Sequence, residues 1–182
     1  MTPSPLRFSA VDPQDPALAA FLIADTWPFH GTVQHTPESV AESVAGGAYE
    51  APDNDPHWIW EGEERVGLVV LRELDDPTPI LDLRLASSAR GQGRGGQVLA
   101  WLAGQVFERH DKHRLEGHTR ADNVAMRKCF ERNGWTQEAH YRKAWPGPAE
   151  TWHDATTYTL LRSEWAGGAK VPVPLSFPAS SS

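Results

Sequence analysis

Cysteine is nearly missing: Cys129 stands alone in a chain of 182 residues. A single thiol excludes an internal disulfide framework and leaves no cluster for a thiolate metal site, so no metal is expected. No apolar run reaches the roughly 20 residues that a membrane helix needs. The first residues, Met1-Thr-Pro-Ser-Pro-Leu6, have no positive stretch ahead of an apolar one and do not read as a signal peptide. Basic residues are outnumbered, 17 Lys and Arg against 24 Asp and Glu, for a formal net charge of −7. Non-specific nucleic-acid binding relies on positive charge to neutralise phosphates, so no nucleic-acid partner is expected, and no membrane partner either. The expectation is a cytoplasmic protein. Its acidic balance suits a cationic acceptor such as a protonated amine, and suits solubility equally well.

What is present is an ordinary globular mixture, 40% hydrophobic and 23% charged. The length fits one domain with a core and is short for two. Residues 6–9 read as a short strand. Asp15-Pro16 and Thr36-Pro37 each place a capping side chain before a proline at the first helical position, and apolar residues follow at helical spacing. Between these two helices lies an aromatic connector, Trp27-Pro-Phe29-His30. Residues 57–60 and 66–71 flank a polar turn and read as a hairpin, and 80–85 reads as another strand. Residues 95–109 form a helix with Val98, Leu99, Leu102 and Val106 on one stripe. A strand at 115–119, a helix at 123–133 stopped by Gly134, and strands near 138–144 and 152–161 complete the order β-α-α-β-β-β-α-β-α-β-β. Hairpins at one end and a βαβ crossover in the middle imply an α+β fold, a mixed and mostly antiparallel sheet with helices on both faces. The domain is expected to span 1–165. Residues 166–182, rich in Ala, Gly, Pro and Ser, read as a loose tail. Within that tail, residues 171–177 carry enough apolar character to dock on a second copy, which keeps a homodimer open.

The most informative stretch runs from Leu83 through Leu85 and Ala86 to Arg90-Gly91-Gln92-Gly93-Arg94-Gly95-Gly96, and a helix follows at once. A strand ends, the chain turns on glycines, and a helix opens with unsatisfied amide N–H groups. Those amides and the helix dipole favour a phosphate, while Arg90 and Arg94 add charge. Glycines also serve a tight turn with no ligand, and solvated arginines need no partner. As a phosphate site, the loop admits two readings. Gly91-Gln-Gly93-Arg-Gly95-Gly96 formally satisfies G-x-G-x-x-G, with Glu116 twenty residues beyond Gly96, the spacing of a dinucleotide-dependent oxidoreductase. Against that, residues 86–90 separate the glycines from the strand, and the further βα units of a dinucleotide fold are missing from the pattern.

In the other reading, Arg90-x-x-Gly93-x-Gly95 resembles the coenzyme A pyrophosphate loop of the GNAT superfamily of N-acetyltransferases. Asn123-Val-Ala125 through Phe130 to Gly134-Trp135 resembles that family's N-x-x-A helix and the turn that ends it. Residues 151–165, through Trp152, Asp154, Tyr158 and Trp165, are similar to the close of the branch containing the ribosomal-protein N-terminal acetyltransferases, the RimJ and RimL types. The three motifs cover about residues 6–165 in the right order.

The resemblance implies direct transfer of an acetyl group from acetyl-CoA to a primary amine, either a protein N-terminus or a small molecule. It implies a sheet splayed between the fourth and fifth strands, with the pantetheine arm lying in the splay. Backbone near Leu85 and Ala86 would polarise the thioester, residues 90–96 would hold the pyrophosphate, and Asn123, with Arg127 on the same helix, would contact the cofactor. Asn123 is equally a helix N-cap. Trp27, Phe29 and His30 would border the acceptor, and Asp154 either holds its ammonium or satisfies strand-edge amides.

An ammonium must lose a proton before it attacks, and the leaving thiolate needs a proton or solvent. Base candidates are Asp82, Glu116 and His118. Asp82 shares a strand face with Arg84 and pairs with it in the simplest reading, while Glu116 and His118 share a face of the next strand. Phe130 departs from the family, where Tyr often stands as the acid. Tyr141 and Tyr158 are the remaining hydroxyl candidates. With that acid and a clear base both missing, an acyl-CoA-binding module without turnover is the alternative. Cys129, on an apolar helix face, reads as packing.

Overall fold

A computed structural model describes residues 5–174. The expected element order is present: β1 (Arg7–Ala10), α1 (Pro16–Ile23), α2 (Pro37–Ala45), β2 (Asp55–Glu61), β3 (Glu64–Arg72), β4 (Ile80–Leu85), α3 (Arg94–Gly104), β5 (Arg114–Arg120), α4 (Val124–Arg132), β6 (Thr136–Pro146) and β7 (Trp152–Leu161). A four-residue helix, α5 (Arg162–Trp165), follows β7, and the end of α3 widens into a π turn over Gln105–Arg109. Both proline-led helices begin as their sequences dictate. The Asp15 carboxylate accepts the Ala17 N–H at 2.9 Å, and the Thr36 hydroxyl accepts that of Ser39 at 3.2 Å.

Seven strands make one sheet in the order β1-β2-β3-β4-β5-β7-β6. Every pairing is antiparallel except β4 with β5, which run parallel and meet only where Ile80 faces Glu116. The Glu116 N–H donates to the Pro79 carbonyl at 3.0 Å, and beyond that point the two strands part. This is the expected splay. Because β5 pairs antiparallel with β7, the doubly wound parallel sheet of a dinucleotide fold is absent from the described residues.

Strand alternation divides the side chains between two layers. From β4, Leu81 enters the core beneath α3 and α4, where Val98, Leu102 and Phe130 are buried, and Leu83 and Leu85 pack against it. On the opposite face, α1 and α2 cover Trp58, Leu68 and Val70 with Leu18, Leu22 and Val40. Asp82 and Arg84 point to this second side, against Tyr49 and Trp27. Trp58 and Trp135 are buried. Trp101 is partly covered by a parallel stack on Phe8, 3.9 Å between centroids.

Residues 168–174 carry no helix or strand. Val171 and Val173 are exposed, while residues 175–177 of the segment expected to dock lie outside the described residues. No helix among the described residues is long and apolar enough to cross a membrane.

Candidate functional site

The loop after β4 makes one 3₁₀ turn over Ser87–Ala89, and α3 then starts at Gly93. Gly93 has φ +80°, a conformation that costs an L side chain about 1–2 kcal/mol, so glycine is the economical residue there. No side chain caps α3. The Gly96 N–H turns back to the Gly93 carbonyl at 3.2 Å, and the start of the helix opens onto a cleft of 430 Å³. The loop is held in place from outside. Arg90 donates to the carbonyls of Leu85 and Thr26, each at 2.8 Å, and Asp25 accepts the Ser87 N–H at 2.5 Å.

The cleft runs from this glycine loop, past Leu83 and Leu85 on the open edge of β4, to the aromatic connector between α1 and α2. Of the residues singled out for the cofactor, Leu85, Arg90, Gly91, Gly93, Gly95, Gly96 and Asn123 line it, as do Trp27, Phe29 and His30 from the acceptor group. Asn123 both caps and lines: its Oδ1 accepts the Met126 N–H at 3.2 Å, and its Nδ2 donates to Thr119 at 3.0 Å.

Several other residues are placed elsewhere. Arg94 turns inward, nine-tenths buried, to Glu61 and the Ala89 carbonyl, so its charge is neutralised away from the cleft. Gln92 donates back to Ser88 at 2.7 Å. Arg127 reaches the Ala121 carbonyl and the Tyr158 hydroxyl. Ala86 gives its N–H to Val66, closing the β3 edge. Asp154 lies outside the cleft, bonded to His140 at 2.8 Å and to the Lys143 N–H at 2.9 Å. Tyr141 is about half exposed beside it in a second, open cavity.

Tyr158 is sealed behind Phe130, their rings stacked 5.0 Å apart. Its hydroxyl donates to Glu131 at 2.9 Å and lies 3.2 Å from Gln137. Burial pushes its pKa up, which makes it a poor acid. Neither tyrosine reaches the cleft.

On α4, the helix expected to contact the cofactor, the lining residues that sequence reasoning did not single out for it are Met126, Lys128, Cys129 and Arg132. Lys128 and Arg132 stand four apart and therefore on one helix face. That spacing was the available signal, but nothing local says which face meets the cleft. The choice comes from α3, where a Cβ on Gly95 would stand 3.1 Å from the Cys129 sulfur, so α4 lies close against the glycine loop. Burial pushes the Cys129 thiol pKa up, consistent with packing.

The base candidates separate clearly. Asp82 is bonded by Arg84 at 2.6 Å and Arg72 at 2.8 Å, and the His30 ring lies 3.4 Å away. Burial pushes its pKa up, but Arg84, His30 and Arg72 together outweigh that and hold it well below the usual carboxylate range. A carboxylate held so strongly ionised is a weak proton acceptor. Glu116 and His118 meet at 3.1 Å on β5, where neither lines the cleft, and the other His118 nitrogen lies 3.0 Å from the Thr157 hydroxyl. The imidazole is thus held between a carboxylate and a hydroxyl.

The model of the acetyltransferase (GNAT) domain matches residues 6–136, most of the chain. The chain belongs to the GNAT acetyltransferase family. Solved structures of similar fold agree. An acetyl transferase of Salmonella typhimurium that modifies the N-terminal serine of the 50S ribosomal protein L7/L12 is 21% identical, with 86% of this chain and 94% of that one covered and a TM-score of 0.72. RimJ of Mycobacterium smegmatis, in complex with CoA-disulfide, is 20% identical over 87% and 83%, with a TM-score of 0.74. Spermidine N-acetyltransferase from Vibrio cholerae, in complex with CoA and spermine, is 15% identical over 89% and 98%, with the same TM-score of 0.74. For this GNAT acetyltransferase the glycine loop, the splay and the cleft joining them are therefore features of one fold.

Proposed function

We propose that this acetyltransferase moves the acetyl group of acetyl-CoA onto a primary amine, of a peptide N-terminus or a small molecule, in the cytoplasm. The single observation that carries this reading is the uncapped start of α3, opening onto a cleft that continues along the free edge of β4 to an aromatic pocket. Among the described residues, the ionisable cations lining it are Arg90, Lys128 and Arg132, and no carboxylate joins them. That is the electrostatic requirement of a phosphate-bearing ligand. The amides of residues 93–96 would hold the pyrophosphate, and Lys128 and Arg132 the remaining phosphate charge. The ligand supplies an activated acetyl thioester.

The protein's own part is to orient and to move protons. Past Ile80 the β4 carbonyls of Leu83 and Leu85 are met by His30 and Arg90, so the acyl arm would bond the remaining backbone groups of that edge. Of the base candidates, His118, held between Glu116 and the Thr157 hydroxyl, would take the amine proton by way of water, since it does not itself line the cleft. With Phe130 in place of a hydroxyl acid, the leaving thiolate is protonated by solvent. The related RimL-type and spermidine enzymes act on amines, which supports the acceptor class without choosing within it.

Thiol release from acetyl-CoA across a panel of amines and peptides, beside calorimetry with acetyl-CoA, tests the reading. The expected result is micromolar-range acetyl-CoA binding and amine-dependent thiol release. Binding without release on any amine would leave an acyl-CoA-binding module in its place.

A further inference from the structure

The acceptor end of the cleft has an unusual charge pattern. Trp27, Pro28, Phe29 and His30 form one wall, facing Leu83 and Leu85. Three carboxylates stand around this end, and each is already matched by arginine. Asp25 lies 3.6 Å from Arg90, Asp82 lies 2.6 Å from Arg84 and 2.8 Å from Arg72, and Asp122 lies 2.5 Å from Arg120. Further along β5, Glu116 is met by Arg114 at 2.7 Å. Arg120 continues from Asp122 to the Pro28 carbonyl at 3.1 Å, and its guanidinium lies 5.3 Å from the Phe29 ring centre. The acids at the rim thus serve to hold arginines and the aromatic connector in place, and offer no free negative charge.

This arrangement discriminates between kinds of amine. A second ammonium on the acceptor would leave water for a wall with no unpaired carboxylate, beside Arg84, Arg90 and Arg120, at an unrecovered desolvation cost. An apolar body loses no such hydration and gains by burial against Trp27, Phe29, Leu83 and Leu85. The reacting amine benefits too, because no carboxylate cage holds it in the protonated, non-nucleophilic form.

We propose that the acceptor is a monoamine carried on an apolar or aromatic body, and that the site rejects polyamines. This rests on the N-acetyltransferase reading and narrows it. The test uses wild-type protein and two amines that differ only in a second ammonium, pentylamine and 1,5-diaminopentane, with 2-phenylethylamine as the aromatic member. Pentylamine should exceed the diamine in kcat/KM by about tenfold or more, and 2-phenylethylamine should do at least as well. Phe29→Ala should raise KM for 2-phenylethylamine and leave KM for acetyl-CoA unchanged. A diamine acetylated as well as pentylamine would overturn the proposal while leaving the transferase reading intact. No thiol release with any amine, despite acetyl-CoA binding, would overturn both.

Discussion

Phe130 stands in the space that a side chain on residue 117 would need: a Cβ built on Gly117 lies 2.3 Å from the ring Cζ. A glycine in the middle of β5 is therefore the seat of a buried ring, which stacks on Tyr158 and packs 4.9 Å from Trp135. Gly117 sits one residue past Glu116, where β5 pairs with Ile80 of β4.

Gly117→Ala should therefore destabilise the fold by about 1–3 kcal/mol, the usual cost of overpacking a core. Urea denaturation measures it. The double variant Gly117→Ala with Phe130→Leu should recover part of the loss, since the clash is between these two residues. An additive pair would show that the strain lies elsewhere.

Gly93→Asp joins two penalties, a left-handed residue with a side chain and a negative charge at the mouth of α3. Acetyl-CoA affinity should fall by about tenfold or more, as expected when charge-assisted bonds worth about 1.5–3 kcal/mol are opposed. Calorimetry reads this directly. Gly93→Ala should show only the smaller, conformational part, and equal losses in the two variants would argue against a phosphate at this position.

Acid should unfold the protein through Asp82. Its folded pKa lies well below its unfolded value of about 3.9. The stabilisation is therefore fully present above the unfolded value and is lost as pH falls through the folded one, so the decline begins below about pH 5. Asp55, where burial raises the pKa but hydrogen bonds from His57 and His110 bring it lower overall, adds to the same window. Asp82→Asn should cost about 3–5 kcal/mol at neutral pH, since it leaves Arg84 buried without its counter-charge. It should also flatten the acid limb of stability against pH, measured by denaturant titration from pH 7 to pH 3.

Arg120→Ala should free the aromatic connector by removing its bonds to Pro28 and Asp122. A fall of about tenfold in kcat/KM for the amine is expected from the loss of one charge-assisted bond. KM for acetyl-CoA should be unchanged, because Arg120 does not line the cofactor end. A change in acetyl-CoA affinity instead would mean that Arg120 supports the glycine loop.

Much of this molecule is written in short stretches of chain. Asp15-Pro16 and Thr36-Pro37 start their helices by bonds that span two or three residues, and the left-handed turn at Gly93 that opens α3 is a local preference of glycine. Such features are legible because cause and effect lie within one turn of backbone. The partnership of Asp82 with Arg84 was equally readable, since alternation along a strand puts them on one face. Only the tertiary structure decided that Arg94 would turn to Glu61, that Tyr158 would be sealed behind Phe130, and that Lys128 and Arg132 would face the cleft while Asp154 would not. Each of these depends on sheet register or on how closely α4 approaches α3. Contacts between elements far apart in sequence set those distances, and no single segment of the chain carries them.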